Sequence, residues 1–305
     1  MCAEWSPEHT VTPEIAARVI AEQFPDLAGL PVTAFGAGWD NAVLAVGDEW
    51  LFRFVHRTIA LDGSRRELAV LGALGDPFTL PIPRPVLVGT PSAAMPWPFW
   101  GTRHLAGVGL AESGLPDDAR VGVATQVGAF LRELHDPDVA HRVHAAVDLP
   151  LDPIHRSDAA RQASRARERL ARLRSAGVWH GDDAVDELLE RADTLGPAPG
   201  PAVVVHGDLH VRHVLVAGGR ATGVIDWGDV ALADPCVDLM IGYAAFSGAA
   251  RHAFLGEYPP VPPDRETRAR TVAVAVSAAL AEQAATDADS SLLTEALAAI
   301  GRAAR

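Results

Sequence analysis

One short span of the chain concentrates groups that can move a proton or hold a cation. The segment Val203 to Asp238, VVVHGDLHVRHVLVAGGRATGVIDWGDVALADPCVD, carries His206, Asp208, His210, His213, Asp226, Asp229, Asp234 and Asp238 among runs of Val, Leu and Ile. Carboxylates and imidazoles at the mouths of buried strands cost desolvation unless something pairs with them. These groups therefore either satisfy one another or hold a cation. VLVA and ATGVIDW, joined by Gly218-Gly219-Arg220, have the pattern of a hairpin. A hairpin sets the residue before its first strand beside the residue after its second. His213 and Asp226 are thus expected to face each other across a narrow gap, with Asp208 on the adjoining loop. Two ligands and a nearby carboxylate suit a divalent cation and a general base.

The rest of the chain must position that span. Thr12 and Pro13 have the character of a helix cap and first turn, followed by Ile15, Val19 and Ile20 at helical spacing. From Pro31 the segment PVTAFGAGWDNAVLAVGDEWLFRFVHR alternates apolar and polar residues, with turn signals at Gly36, Gly38 and Gly47-Asp48, and predicts three antiparallel strands. GSRRELAVLGAL returns to helical spacing, and the Pro-rich stretch after it predicts short strands near Val86 and over Phe99 to His104. Beyond Gly107 the chain reads as mainly helical, with helices over Ala119 to His135, Ser157 to Ser175 and Asp182 to Glu190, and an Ala-rich pair within Thr271 to Arg305. The Ser157 to Ser175 helix sets Ala159, Ala163, Ala166, Leu170 and Leu173 on one face, with the arginines between Arg156 and Arg174 mostly on the other. A basic helix can bind phosphates or RNA, but the acidic helix that follows favours a solvated, charge-balanced face. Trp39, Trp50, Trp97 and Trp100 are expected to pack rather than to form a stacking platform.

A chain of 305 residues that is 49% hydrophobic can bury one large core or two smaller ones. Its 26 basic residues, all Arg, stand against 39 acidic ones. The net charge of −13 speaks against nucleic acid or an anionic membrane as partner and suits a cationic small ligand. Cys2 and Cys236 form no disulfide framework. The opening MCAEWSPEHT lacks a signal peptide's basic and apolar regions. The longest apolar run, Thr271 to Ala281, falls short of the about 20 residues a membrane span needs. A soluble, cytoplasmic protein is expected.

HGDLHxxH…IDWGD…DPxxDL resembles the aminoglycoside phosphotransferase family, relatives of the protein kinases, and the likeness extends over most of residues 30 to 245. GAGWDNAVLAVGDEWLFRF resembles that family's nucleotide-covering hairpin, SRRELAVL its first-lobe helix, and FLRELH the helix before its catalytic loop. The resemblance implies an α+β, two-lobed, protein-kinase-like fold. A small N-terminal lobe with an antiparallel sheet, residues 1–105, would bind nucleotide, and a larger, mainly helical lobe, residues 106–305, would carry catalysis and the acceptor. It implies that Asp208 deprotonates the acceptor hydroxyl and that Asp226 and His213 hold Mg²⁺. His213 stands where most relatives have Asn, a substitution associated with macrolide phosphotransferases, and implies tolerance of Mn²⁺. Gly36, Gly38 and Asn41 would cover the nucleotide, with Asn41 in the third glycine position. Arg53 would replace the phosphate-gripping Lys, partnered by Glu67. The backbone of Arg103, His104 and Leu105 would meet the purine. Asp238 and His206 would brace the loop.

The implied activity is transfer of the γ-phosphate of ATP or GTP to a small-molecule hydroxyl, on an aminoglycoside, a macrolide or a metabolic alcohol. Two rival readings come from other classes. H-x-D-x-H-x-x-H has spacings that could bind Zn²⁺ for a hydrolase. A catalytically inactive binding module is the other, against which the presence of Asp208 and Asp226 argues.

Overall fold

The computed structural model describes residues 8–37, 41–75, 78–93 and 95–305. The chain divides into two compact units, Met1–Gly75 with Ile82–Leu105, and Asp76–Pro81 with Ala106–Arg305.

In the first unit, helix α1 (Pro13–Gln23) starts with Thr12 Oγ1 accepting from the Ile15 N–H, and Pro13 occupies a position where no donor is needed. Strands β1 (Val32–Ala37), β2 (Asn41–Val46) and β3 (Trp50–Val55) precede helix α2 (Leu61–Ala73), and β4 (Pro85–Gly89) and β5 (Phe99–Arg103) complete the sheet. Its order is β1-β2-β3-β5-β4, antiparallel throughout. Alternation along WLFRFV sends Phe52 and Phe54 into a core with Phe99, Leu44, Val19 and Ile20, and Phe54 stacks on Phe99 with centroids 5.0 Å apart. The same alternation turns Arg53 to the opposite face of the sheet. Trp50 and Trp100 are buried, as packing requires; Trp39 lies outside the described residues.

The second unit begins with the short β6 (Val108–Gly109), followed by helices α3 (Val121–Leu134), α4 (Pro137–Ala146), α5 (Ala159–Ser175) and α6 (Asp183–Asp193). Strands β7 (Val203–Val205), β8 (Val214–Ala217), β9 (Arg220–Val224) and β10 (Ala231–Ala233) come next, then helices α7 (Cys236–Ala244), α8 (Gly248–Glu257), α9 (Pro263–Asp287) and α10 (Ser290–Ala304). The β8–β9 turn is tighter than the sequence pattern suggested. Arg220 already pairs with Ala217, so Gly218 and Gly219 alone make the turn, and both have positive φ, as a two-residue hairpin turn demands. Helix α9 starts eight residues earlier than the Ala-rich pattern indicated. Pro263 opens it, and the charged segment that follows stays helical on its solvated side, with Glu266 paired to Arg270 one turn on. Cys236, at the start of α7, is fully buried, and burial pushes its thiol well above the usual range. No described helix is long and apolar enough to cross a membrane.

The basic face of α5 is balanced only in part, and only partly by the helix that follows it. Arg167 pairs with Asp193 of α6, whereas Arg172 pairs with Glu282 of α9.

Candidate active site

The loop between β7 and β8 carries His206, Asp208, His210 and His213, and a buried acid holds it in place. Asp238, at the start of α7, accepts from the backbone N–H of His206 at 2.7 Å and of Gly207 at 3.0 Å. His135, at the end of α3, meets the same carboxylate through Nε2 at 3.3 Å and Tyr258 Oη through Nδ1 at 2.7 Å. A neutral ring protonated on Nε2 satisfies both contacts. Burial alone would raise the pKa of Asp238, but the hydrogen bonds from His135 and from the Gly207 N–H outweigh it, so the pKa lies below its ordinary value. Gly207 has φ +88°, and a Cβ there would lie 2.1 Å from the Asp229 carbonyl oxygen, so the loop admits only glycine at this point.

His206 is fully buried beside Trp227, their ring centroids 4.8 Å apart. Its Nε2–H donates to the Ile225 carbonyl at 2.9 Å, and its Nδ1 accepts from the Asp208 N–H at 3.2 Å. One neutral tautomer fits both, and burial lowers its pKa in favour of that form. His206 thus ties Asp208 to the strand end that leads into Asp226.

The hairpin brings its flanks together, with the Ile225 N–H donating to the His213 carbonyl at 3.0 Å. His213 Nε2 lies 3.3 Å from Asp226 Oδ2. His213 Nδ1 contacts the Asp208 carbonyl at 2.8 Å, and a carbonyl can only accept, so Nδ1 carries the proton. In the neutral ring the Nε2 lone pair then points at a carboxylate, an arrangement that needs either a second proton or a cation between the two. Asp226 itself sits at φ +68°, in the left-handed region that Asp and Asn tolerate better than other side chains.

His210 stacks on His213, ring centroids 3.9 Å apart and 30° from parallel. Donor atoms of Asp208, His210 and His213 all lie within 4.8 Å of one another. Two rings stacked in this way do not direct their lone pairs at one point, and the free nitrogen of His213 faces Asp226 instead. Burial first, then His213 and Arg212, push the His210 pKa well below its usual value, so the ring is neutral.

Sequence reasoning missed Arg156 as well as the bracing role of His135. Arg156 Nη2 lies 3.0 Å from Asp208 Oδ1 and 3.0 Å from Asp229 Oδ2. The turn that presents it is pinned by Asp152, which accepts from the Arg156 and Ser157 N–H groups and the Ser157 hydroxyl. Asp152 and His155 both take positive φ there. The only signal in the chain was the DPIHRSD turn ahead of a helix, which does not reveal a contact 52 positions away.

In the first unit, Arg53 Nη1 lies 2.5 Å from both carboxylate oxygens of Glu67, which α2 holds 3% exposed. The guanidinium also lies over Trp100, 5.9 Å from the ring centroid. Gly36 stands at a register shift in β1, and Gly38 lies outside the described residues. Asn41 opens β2, and its Oδ1 is buried without a hydrogen-bond partner. Arg103 and His104 are exposed, with the His104 N–H donating to the Glu49 carbonyl at 2.8 Å and Leu105 next in line, half-buried.

Solved structures share this architecture over nearly the whole chain. The GDP complex of wild-type aminoglycoside 2'-phosphotransferase-IIIa is 24% identical with a TM-score of 0.67, covering 96% of this chain and 99% of that one. The GDP and kanamycin complex of APH(2")-IIIa, also 24% identical, gives 0.64 over 94% and 97%. Macrolide 2'-phosphotransferase MphH from Brachybacterium faecium, as apoenzyme, gives 0.61 at 22% identity over 94% and 98%. The fold is therefore the α+β, protein-kinase-like fold of the antibiotic phosphotransferases. The sequence profile of the phosphotransferase enzyme family matches residues 31–295, and the chain belongs to that family. It is also 41% identical to the uncharacterized protein YcbJ of Bacillus subtilis (strain 168), over 61 residues that make up 20% of each chain.

Proposed function

We propose that this protein transfers the γ-phosphoryl group of ATP or GTP to a hydroxyl of a small molecule, with Asp208 as general base. The observation that carries this reading is the convergence of Asp208 with the His213–Asp226 pair, His213 Nδ1 lying 3.9 Å from Asp208 Oδ2 and its Nε2 3.3 Å from Asp226 Oδ2. The acceptor oxygen attacks the γ-phosphorus as its proton passes to the Asp208 carboxylate. The new O–P bond forms, the bond to the bridging oxygen breaks, and the nucleoside diphosphate leaves with that electron pair. Asp226 and His213 would hold Mg²⁺, which neutralises phosphate charge when bound; the facing lone-pair donors fit a cation. Arg53, oriented by Glu67, is the proposed phosphate-gripping cation.

Incubation with ATP or GTP, Mg²⁺ and a panel of aminoglycosides, macrolides and small alcohols, read as a mass gain of one phosphate, tests the reading. Tightly held zinc with no nucleotide binding would sink it in favour of the hydrolase. The Arg53 proposal has its own check. Arg53→Ala is expected to raise the nucleotide KM by about tenfold, the loss of one charge-assisted contact. Glu67→Ala should raise it less, and the double variant should be no worse than Arg53→Ala. Additive losses would show that Glu67 does not act through Arg53.

A further inference from the structure

A cavity of about 260 Å³ in the second unit opens onto Asp208 and His210. Arg156, Arg165 and Arg169 line it together with Gln162 and Gln283, and α9 supplies an apolar wall that includes Val276 and Leu280. Asp208 is the single carboxylate among its described lining residues. Arg165 and Arg169 stand one turn apart on α5, so their guanidinium groups share a face.

The positive charge in this cavity is incompletely met. Arg156 uses Nη2 for both Asp208 and Asp229, and its Nη1 is buried with no hydrogen-bond partner. Arg165 donates to the Ile154 carbonyl at 3.1 Å, and no described carboxylate forms an ion pair with it. Arg169 donates to the Ala275 carbonyl at 3.1 Å and reaches Glu282 only at 3.7 Å, while Arg172 holds that acid at 2.6 Å. Burial pushes the Arg169 guanidinium below its ordinary pKa in spite of Glu282.

The chain as a whole carries −13, which suggested a cationic acceptor. Charges farther than about 8 Å are screened at physiological salt, so the local balance decides: Asp208 and Asp229 meet Arg156, while Arg165 has no described acid and Arg169 shares Glu282 with Arg172. An ammonium group entering here would lose water beside like charge, whereas an oxyanion would give Arg165 and Arg169 an anionic acceptor. The volume also falls below the about 300–1,000 Å³ of pockets that enclose drug-sized ligands.

We propose that the acceptor is a small hydroxylated anion whose carboxylate or phosphate monoester is bound by Arg165 and Arg169 while its hydroxyl is presented to Asp208. This rests on the phosphotransferase reading for the hydroxyl, but the anion site itself can be tested without nucleotide.

Calorimetric titration of the whole protein, alone and with Mg²⁺ and a non-hydrolysable ATP or GTP analogue, would use glycerate and gluconate as carboxylates. Glycerol 3-phosphate and glucose 6-phosphate serve as phosphate monoesters, glycerol and glucose as neutral counterparts, and kanamycin as the cation. One anionic class should bind at least about tenfold tighter than its neutral counterpart, the two arms identifying which, as expected of charge-assisted contacts. Arg165→Ala and, separately, Arg169→Ala should remove that advantage, Arg165→Lys should keep part of it, and nucleotide affinity should stay within about twofold. Arg165→Ala, with its half-exposed site, guards against a folding failure in Arg169→Ala. The proposal is overturned if no anion binds tighter than its neutral counterpart, if kanamycin binds best, or if the alanine variants bind the anion as the unaltered protein does. Absence of nucleotide binding with anion binding intact would instead overturn the phosphotransferase reading.

Discussion

Asp208→Asn is expected to lower turnover by about 10²–10⁴-fold, the range of a positioned general base, while the nucleotide KM changes little. The amide keeps the size of the carboxylate but cannot take the acceptor proton. Its effect should therefore fall on kcat, the signature of an interaction made in the transition state. The substitution also removes one of the two carboxylates that share Arg156 Nη2, leaving Asp229. A thermal midpoint measured beside the rates separates that loss from the catalytic one. If kcat survives, Asp208 is not the base, and Asp229, on the other side of Arg156, becomes the next residue to replace.

Asp226→Asn should cost turnover about 10²-fold or more, since even outer-sphere partners of a metal are worth about 10–100-fold, and it should weaken binding of the metal–nucleotide complex as well. Asn is the informative replacement because it also tolerates φ +68°, so the backbone at the hairpin's end is retained and only the charge is lost. His213 supplies the companion measurement. His213→Asn should keep substantial Mg²⁺-supported activity, lower the Mn²⁺-to-Mg²⁺ rate ratio and flatten the acidic limb of the pH profile. An imidazole is a softer donor than an amide and loses its lone pair to protons as pH falls. His213→Ala should lose activity. Rates for these proteins with both metals across a range of pH decide it: an Asn variant as inactive as the Ala variant means that His213 does something other than hold the metal.

Local pattern made some of this site readable in the sequence. Alternation along WLFRFV places Arg53 on the face away from Phe52 and Phe54, and the spacing of two strands around Gly218-Gly219 sets His213 beside Asp226. Both follow from the two-residue period of a strand and from a turn of known reach. The α+β kinase-like fold was legible through the ordered motifs, which only the chain as a whole carries. Arg156 and His135 were not legible. Each meets its partner from a distant part of the chain, 52 and 103 positions away, and no period in the sequence encodes which arginine of a basic segment turns inward. The sign of charge beside Asp208 was hidden for the same reason, because composition sums over the surface and a cavity samples only the few residues that line it.

Burial of Cys236 has a practical consequence. Its sulfur lies two residues from Asp238, on the first turn of the helix that anchors the loop through that acid. A thiol-reactive dye can reach it only when that turn opens, so its labelling rate in native buffer reads the opening equilibrium of the segment behind the loop. In a Cys2→Ser background, which leaves Cys236 as the sole thiol, this becomes a clock for the loop's support. A ligand that tightens the loop slows the clock, even under conditions where no reaction takes place.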